Sequence, residues 1–307
     1  MPHSPARRVT RWRAHWLPIL AGALAWSGMI VFTYPSVASW LSQYNQSQLI
    51  DGYSSHVRDG LDPSAAELIR SAHAYNDALT SGAVLGSNER VPQGDGSSTD
   101  ETLEYEKQLR ASPLDVMARL RIDAIGVDLP VYHGANDDTL SRGVGHLEGT
   151  SLPVGGMGTR SVLTAHRGLA NATMFTNLDR VQRGDTFTVE VLGEVLTYRV
   201  FETQVVKPED TESIRAVPGK DLITLVTCTP LGINTHRILV TGERITPTPQ
   251  KDLDAAGGTP DVPGFPWWIV IIAGGTVAVG GYVWRSGRVP ASQRQAEWLP
   301  TGANPER

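Results

Sequence analysis

LITLVTCTPLGINTHRILVTG, running from Leu222 to Gly242, reads as two short strands around a loop. Leucine, isoleucine, valine and threonine fill both arms, and β-branched types favour a pleated, half-buried surface. Thr229-Pro230-Leu231-Gly232 breaks the run, with proline and glycine supplying the turn. Cys228 stands at the end of the first arm and Arg237 near the start of the second, so an antiparallel return brings them close in space. A strand end beside a loop is a usual place for functional groups on a rigid scaffold.

Similar runs extend outward from this pair. Between about 116 and 245, short stretches rich in valine, leucine, isoleucine and threonine alternate with turn signals. The candidate strands are Val116–Ile122, Asp128–Tyr132, Ser161–Ala165, Thr186–Val191, Glu194–Val200, Phe201–Val206, Leu222–Thr227 and His236–Gly242. The Gly193-Glu194 turn joins two of them as a hairpin, and a short helix or turn is expected within Pro208–Val217. Eight short strands with little helix between them predict a mainly β fold, a closed barrel or a sandwich, over residues 116–245.

The flanks differ. Residues 36–115 read as a helical region followed by a polar, turn-rich loop, GSNERVPQGDGSSTDE, from 86 to 101. Leu61-Asp62-Pro63-Ser64 predicts a helix start, with Pro63 near the first turn. Residues 246–266 form a proline- and glycine-rich linker. Two apolar segments lie outside these regions, 16–34 (WLPILAGALAWSGMIVFTY) and 267–284 (WWIVIIAGGTVAVGGYVW). Each lacks charge and matches the roughly 20 residues that cross a hydrocarbon layer, with aromatic residues at its ends. Arginines in the basic N-terminus (1–15) and in the tail (285–307) place both termini in the cytoplasm and the middle outside, by the positive-inside rule. The alternative for the first segment is a cleavable signal peptide, with Ser36-Val37-Ala38-Ser39 as the cleavage region.

The chain has 307 residues and a net charge of -5, which gives no reason to expect nucleic acid as a partner. Its single cysteine excludes an internal disulfide. A lone cysteine is commonly an inert buried residue. What speaks for chemistry at Cys228 is its company. A guanidinium at Arg237 would favour thiolate and could donate to a developing oxyanion. The thiol also needs a base, usually histidine. His166 ends the run SVLTAHRG at another strand-to-loop junction, which makes it the leading candidate. His133, His146 and His236 compete, and spacing does not decide among them, although strand alternation turns His236 away from Arg237. The same four histidines could suggest a metal site, but their spacing fits no common ligand pattern, and no metal or other cofactor is expected.

Thr224-Leu225-Val226-Thr227-Cys228 resembles the Thr-Leu-x-Thr-Cys signature of sortases, with Arg237 on the following strand and Thr164-Ala165-His166-Arg167-Gly168 matching the histidine context. The likeness extends to the pilus-building subgroup, class C, through Val131–Gly134, Gly143–Gly156, Ser161–Asp179, Leu225–Arg244 and the second apolar segment. It spans roughly residues 50–245. It implies an eight-stranded sortase-type β-barrel with N-terminal helices and two flanking transmembrane helices. It also implies a catalytic set of Cys228, His166 and Arg237, with Thr227, Thr164 and Ala165 at the substrate site. The implied reaction cleaves a Leu-Pro-x-Thr-Gly-like signal between Thr and Gly through a thioacyl enzyme. The implied partners are pilin subunits carrying that signal, a pilin lysine as acceptor, and the membrane.

Many class C members carry a lid with an Asp-Pro-aromatic triplet over the cysteine. Here Asp62-Pro63 is followed by Ser64, and Ser112-Pro113-Leu114-Asp115 does not match either. A lid is therefore expected within 86–115 without that triplet. Two rival functions stand beside the pilus reading: a housekeeping sortase joining proteins to cell-wall peptide, and a non-catalytic membrane-anchored assembly scaffold.

Overall fold

The computed structural model describes residues 12, 15–61, 63–80, 83–84, 93–94, 97–98, 103–110 and 115–288. Helix α1 (Trp16–Asp59) continues through Pro35 without a break, and α2 (Ala65–Ala78) follows a short connection. The cap of α2 is Ser64, whose hydroxyl accepts from Glu67 N while the Glu67 carboxylate accepts from Ser64 N. This reciprocal pair satisfies two backbone donors at the helix start, and Pro63 lies just outside it. Ile69, Ala72 and Tyr75 then recur at helical spacing and are buried in the main core.

Eight strands close into a barrel: β1 (Val116–Ile122), β2 (Val127–His133), β3 (Val144–His146), β4 (Thr159–Thr164), β5 (Thr186–Val191), β6 (Glu194–Val206), β7 (Asp221–Thr229) and β8 (His236–Arg244). Their order around the barrel is β6-β8-β7-β4-β3-β2-β1-β5. The pairs β2–β3 and β4–β7 are parallel, and the other pairs are antiparallel. A short helix α3 (Asp137–Arg142) links β2 to β3, and a 3-10 turn at Glu212–Ile214 falls in the stretch expected to hold one.

The count of eight agrees with the sequence, but its makeup differs. Glu194–Val206 is one strand, with a bulge between Val200 and Glu202 in its pairing with β8. A bulge inserts an extra residue and resets the in-out alternation, so one strand reads as two. The missing eighth strand is Val144–His146.

Leu163, Ile223, Leu225, Ile238 and Val240 point into the main core, which also takes residues of both helices. Val162, Val226 and Leu239 alternate with them and pack in a second cluster with Leu147 and Ile214. Successive strand residues face opposite sides, so this smaller cluster marks the other face of the β4–β7–β8 sheet.

The stretch 246–264, read as a linker from its composition, is strapped to the barrel. It contains α4 (Gln250–Asp254), and Thr197 Oγ1 donates to Asp252. Beneath it Arg119, 1% exposed, makes a bidentate pair with Asp128 (2.7 Å to each oxygen) and lies 3.7 Å from Glu190. Arg119 also donates to Gly258 O, Glu190 accepts from Gly257 N, and Asp128 accepts from Asp261 N.

Residues 38–264 form one compact unit, and the second unit takes residues 1–37 with 265–307. In the second unit α5 (Trp267–Ser286) and the first part of α1 lie against each other, with Trp26 Nε1 donating to Thr276 Oγ1. Gly22 permits the approach: a Cβ there would come 3.0 Å from Val283. Helices α1 and α5 are the two described helices long and apolar enough to cross a membrane.

Candidate active site

The register sets the site. Cys228 pairs directly with Arg237 across β7 and β8, so both side chains leave the sheet on the same face. That face is the one of Val226 and Leu239, turned away from the main core. The third residue comes from β4, which runs parallel to β7 with Val226 opposite Thr164. Ala165 N donates to Val226 O at 3.2 Å and carries the ladder one residue past the strand end. Alternation then puts His166 on the face of Val162 and Thr164, which is also the face of Cys228. Cys228, His166 and Arg237 thus share one end of one sheet face.

A cleft of about 370 Å³ opens there, lined by Asp137, His166, Arg167, Leu169, Cys228 and Asn234, among others. Cys228 is 7% exposed. Burial pushes its thiol up from the ordinary cysteine value, and the positive charge of Arg237 pulls it back part of the way. Arg237 is wholly buried, and its Nη1 donates to Asn234 O (2.9 Å) and His236 O (3.1 Å). The guanidinium therefore sits beneath the cleft and is held by the β7–β8 loop.

The competing histidines lie elsewhere. The ring of His146 is wholly buried, with Nδ1 2.9 Å from Tyr105 Oη and Nε2 2.9 Å from Ser151 O. Burial pulls its pKa down to about 4. His133 Nε2 lies 2.7 Å from Gln108 O, and burial lowers its pKa as well. His236 pairs with Thr229, faces the side opposite Arg237, and its Nδ1 lies 3.0 Å from Thr235 Oγ1. Among the described residues no cluster of histidine, cysteine and carboxylates could hold a metal ion.

Thr164, Ala165 and Thr227 are all buried, beneath the cleft rather than on its wall. Thr227 Oγ1 donates to Ala165 O at 2.8 Å, tying β7 to the end of β4. Arg167, which spacing does not single out, donates from Nη1 to Thr229 Oγ1 (3.0 Å) and from Nε to Thr176 O (3.1 Å), and pairs with Asp179 (2.9 Å). Its only sequence signal is its place beside His166. Much of the expected lid stretch, including Ser112–Leu114, lies outside the described residues, as does Asp62. Within that stretch, residues 103–110 pack on the barrel through Tyr105, whose hydroxyl accepts from Gly134 N and meets the His146 ring, and through Gln108.

The fold and the site together define a closed barrel with a thiol, imidazole and guanidinium at one end of its sheet. A model of the sortase domain matches residues 120–245. The chain is similar to crystallised sortase C-1 of Actinomyces oris, at 49% identity and TM-score 0.53, covering 59% of this chain and 99% of that one. It is similar also to Streptococcus pneumoniae sortase C, at 37% identity and TM-score 0.56, covering 64% of this chain and 96% of that one. Sortase A of Streptococcus agalactiae is 30% identical over 139 residues, a stretch that takes in 44% of this chain and 56% of that relative. The chain belongs to the sortase family, and within it to the class C group.

Proposed function

We propose that this protein is a cysteine transpeptidase that joins pilin subunits. The observation that carries the reading is the pairing of Cys228 with Arg237 in register, on the sheet face that His166 reaches two residues past the end of β4. The kinship with class C sortases supports it, one of them described for its pilin substrate specificity.

The chemistry follows from the groups. The thiol is mostly protonated at rest because burial favours the neutral form, and Arg237 enlarges the reactive thiolate fraction. Cys228 Sγ attacks the threonyl carbonyl carbon of a Leu-Pro-x-Thr-Gly-like signal. Arg237, with backbone N–H groups near Cys228, stabilises the oxyanion. The Thr–Gly C–N bond then breaks, and the His166 imidazolium gives its proton to the leaving glycine amine. An amine attacks the thioacyl carbon, His166 takes up the amine's proton, and the S–C bond breaks to return the thiolate. Thr164, Ala165 and Thr227 shape the peptide site from beneath. The acceptor amine is a pilin lysine.

Residues 116–245 serve as the catalytic domain, 16–34 and 267–284 as the spans, and both termini lie in the cytoplasm with the barrel outside, on the distribution of arginines. The test offers a signal peptide together with either a pilin lysine peptide or a cell-wall-type peptide amine. Preferential transfer to the lysine supports the proposal. Preferential transfer to the wall peptide replaces it with the housekeeping reading. Transfer that survives Cys228→Ala refutes the cysteine mechanism altogether.

A further inference from the structure

Resting on the catalytic reading above, we infer that Arg167 and Thr229 are positioning residues that set the His166–Cys228 geometry. The residues on either side of Cys228 are bonded to the residues on either side of His166. Before the pair, Thr227 Oγ1 donates to Ala165 O at 2.8 Å. After it, Arg167 Nη1 donates to Thr229 Oγ1 at 3.0 Å. The two bonds form a bracket around the reacting groups.

The two arms differ in kind. The Thr227 arm lies in the buried sheet, where Ala165 N to Val226 O already continues the β4–β7 ladder. The Arg167 arm runs from the loop after β4 to Thr229, the last residue of β7, beyond the last β4–β7 ladder bond. Its anchor is rigid, because each guanidinium nitrogen has its own partner: Nε holds Thr176 O, Nη1 holds Thr229, and Nη2 holds Asp179 at 2.9 Å. A planar fork with every nitrogen engaged has little freedom left. The loop it belongs to is folded back on itself, with Phe175 N donating to His166 O and Gly168 N to Thr176 Oγ1. Arg167 thus transmits a preformed loop to the cysteine strand. Without this bond the loop bearing His166 stays folded but loses its tie to Thr229. An error on the order of 1 Å in reacting geometry costs about a hundredfold in rate.

The experiment uses the full chain in detergent, with Thr229→Val, Thr229→Ser and Arg167→Lys. Valine keeps the shape of threonine and removes the hydroxyl that accepts from Arg167. Two substrates are compared: a signal peptide, and its activated ester with a leaving group that needs no protonation. For Thr229→Val the peptide kcat should fall about 10- to 100-fold with KM within about threefold, whereas single-turnover acylation of Cys228 by the activated ester, a step that needs no proton from His166, should slow less than about threefold. Thr229→Ser, which keeps the hydroxyl, should recover most of the peptide rate, and Arg167→Lys should behave like the valine variant because lysine cannot fill three sites at once. An equal loss on both substrates would overturn the inference, since it would point to general distortion, and so would an unchanged peptide rate. Cys228→Ala separates the failures: if it retains turnover, the catalytic reading itself falls, and if it is dead while Thr229→Val is fully active, the bracket alone falls.

Discussion

Replacing Arg237 with alanine removes the cation that pairs with Cys228 in register. Two effects follow. The first is on the thiol. Burial raises its pKa and the Arg237 charge opposes that rise, so deleting the charge moves the thiol further up. At any pH below the thiol pKa, each unit of upward movement cuts the thiolate fraction tenfold. The second effect is on the transition state, where losing an oxyanion donor costs about 100- to 1,000-fold in kcat. Stability should suffer less. Among its acceptors are the carbonyls of Asn234 and His236, both on partly buried residues, and each loses a charged donor. A loss of about 1–3 kcal/mol is expected. The assay is alkylation of the protein with a neutral haloacetamide across pH. With a single cysteine in the chain, every adduct reports Cys228. The alkylation curve of Arg237→Ala should move to higher pH, and kcat for a signal peptide should fall by two to three orders of magnitude, a range set by the donor loss. Arg237→Lys should restore much of the alkylation curve and little of kcat, because a point charge replaces the field but not the fork. Superimposable alkylation curves for wild type and Arg237→Ala, with kcat within about threefold, would rule out both roles of Arg237.

Two further outcomes concern the scaffold. His146 is buried as the neutral ring with a pKa of about 4, against 6.5 for the exposed group. Between those values the unfolded chain binds the extra proton, so stability is present above pH 6.5 and is lost as pH falls toward 4, by roughly 3 kcal/mol. Urea midpoints from pH 7 to 4 should show this slope, and His146→Gln should flatten it. Arg119→Met leaves Asp128 and Glu190 buried without their cation, and should cost about 3–5 kcal/mol in urea unfolding. The strap at 257–261 should at the same time become sensitive to limited proteolysis, since its contacts run to this cluster.

Much of the barrel was legible because its strands are apolar, β-branched and bounded by turns. Val116–Ile122 and Thr186–Val191 fall where the pattern puts them. Val144–His146 was hidden by its brevity and by Gly145, a glycine that the packing requires: a Cβ there would collide with Gly134 O. Periodicity cannot see a close approach between distant backbones. The same limit concealed the Arg119 cluster, whose partners are scattered from Asp128 to Asp261 and include glycine backbone groups with no side-chain signal. At the site, Cys228 and Arg237 could be paired from the hairpin alone. His166 could not be chosen over His133, His146 and His236 from spacing. The geometry separates them, since His146 and His133 are committed to buried partners and His236 faces the other way. The Arg167–Thr229 bond joins residues 62 apart, and nothing in either local sequence marks it.

The mechanism stands on a covalent thioacyl intermediate at Cys228. Its most direct test is intact-protein mass spectrometry after brief incubation with a Leu-Pro-x-Thr-Gly-type peptide and rapid acid quench. The expected result is an adduct of the peptide minus its glycine portion, mapped to Cys228, discharged by added amine and absent in Cys228→Ala. Turnover of the peptide with no adduct at any quench time, and with activity retained in Cys228→Ala, would contradict it.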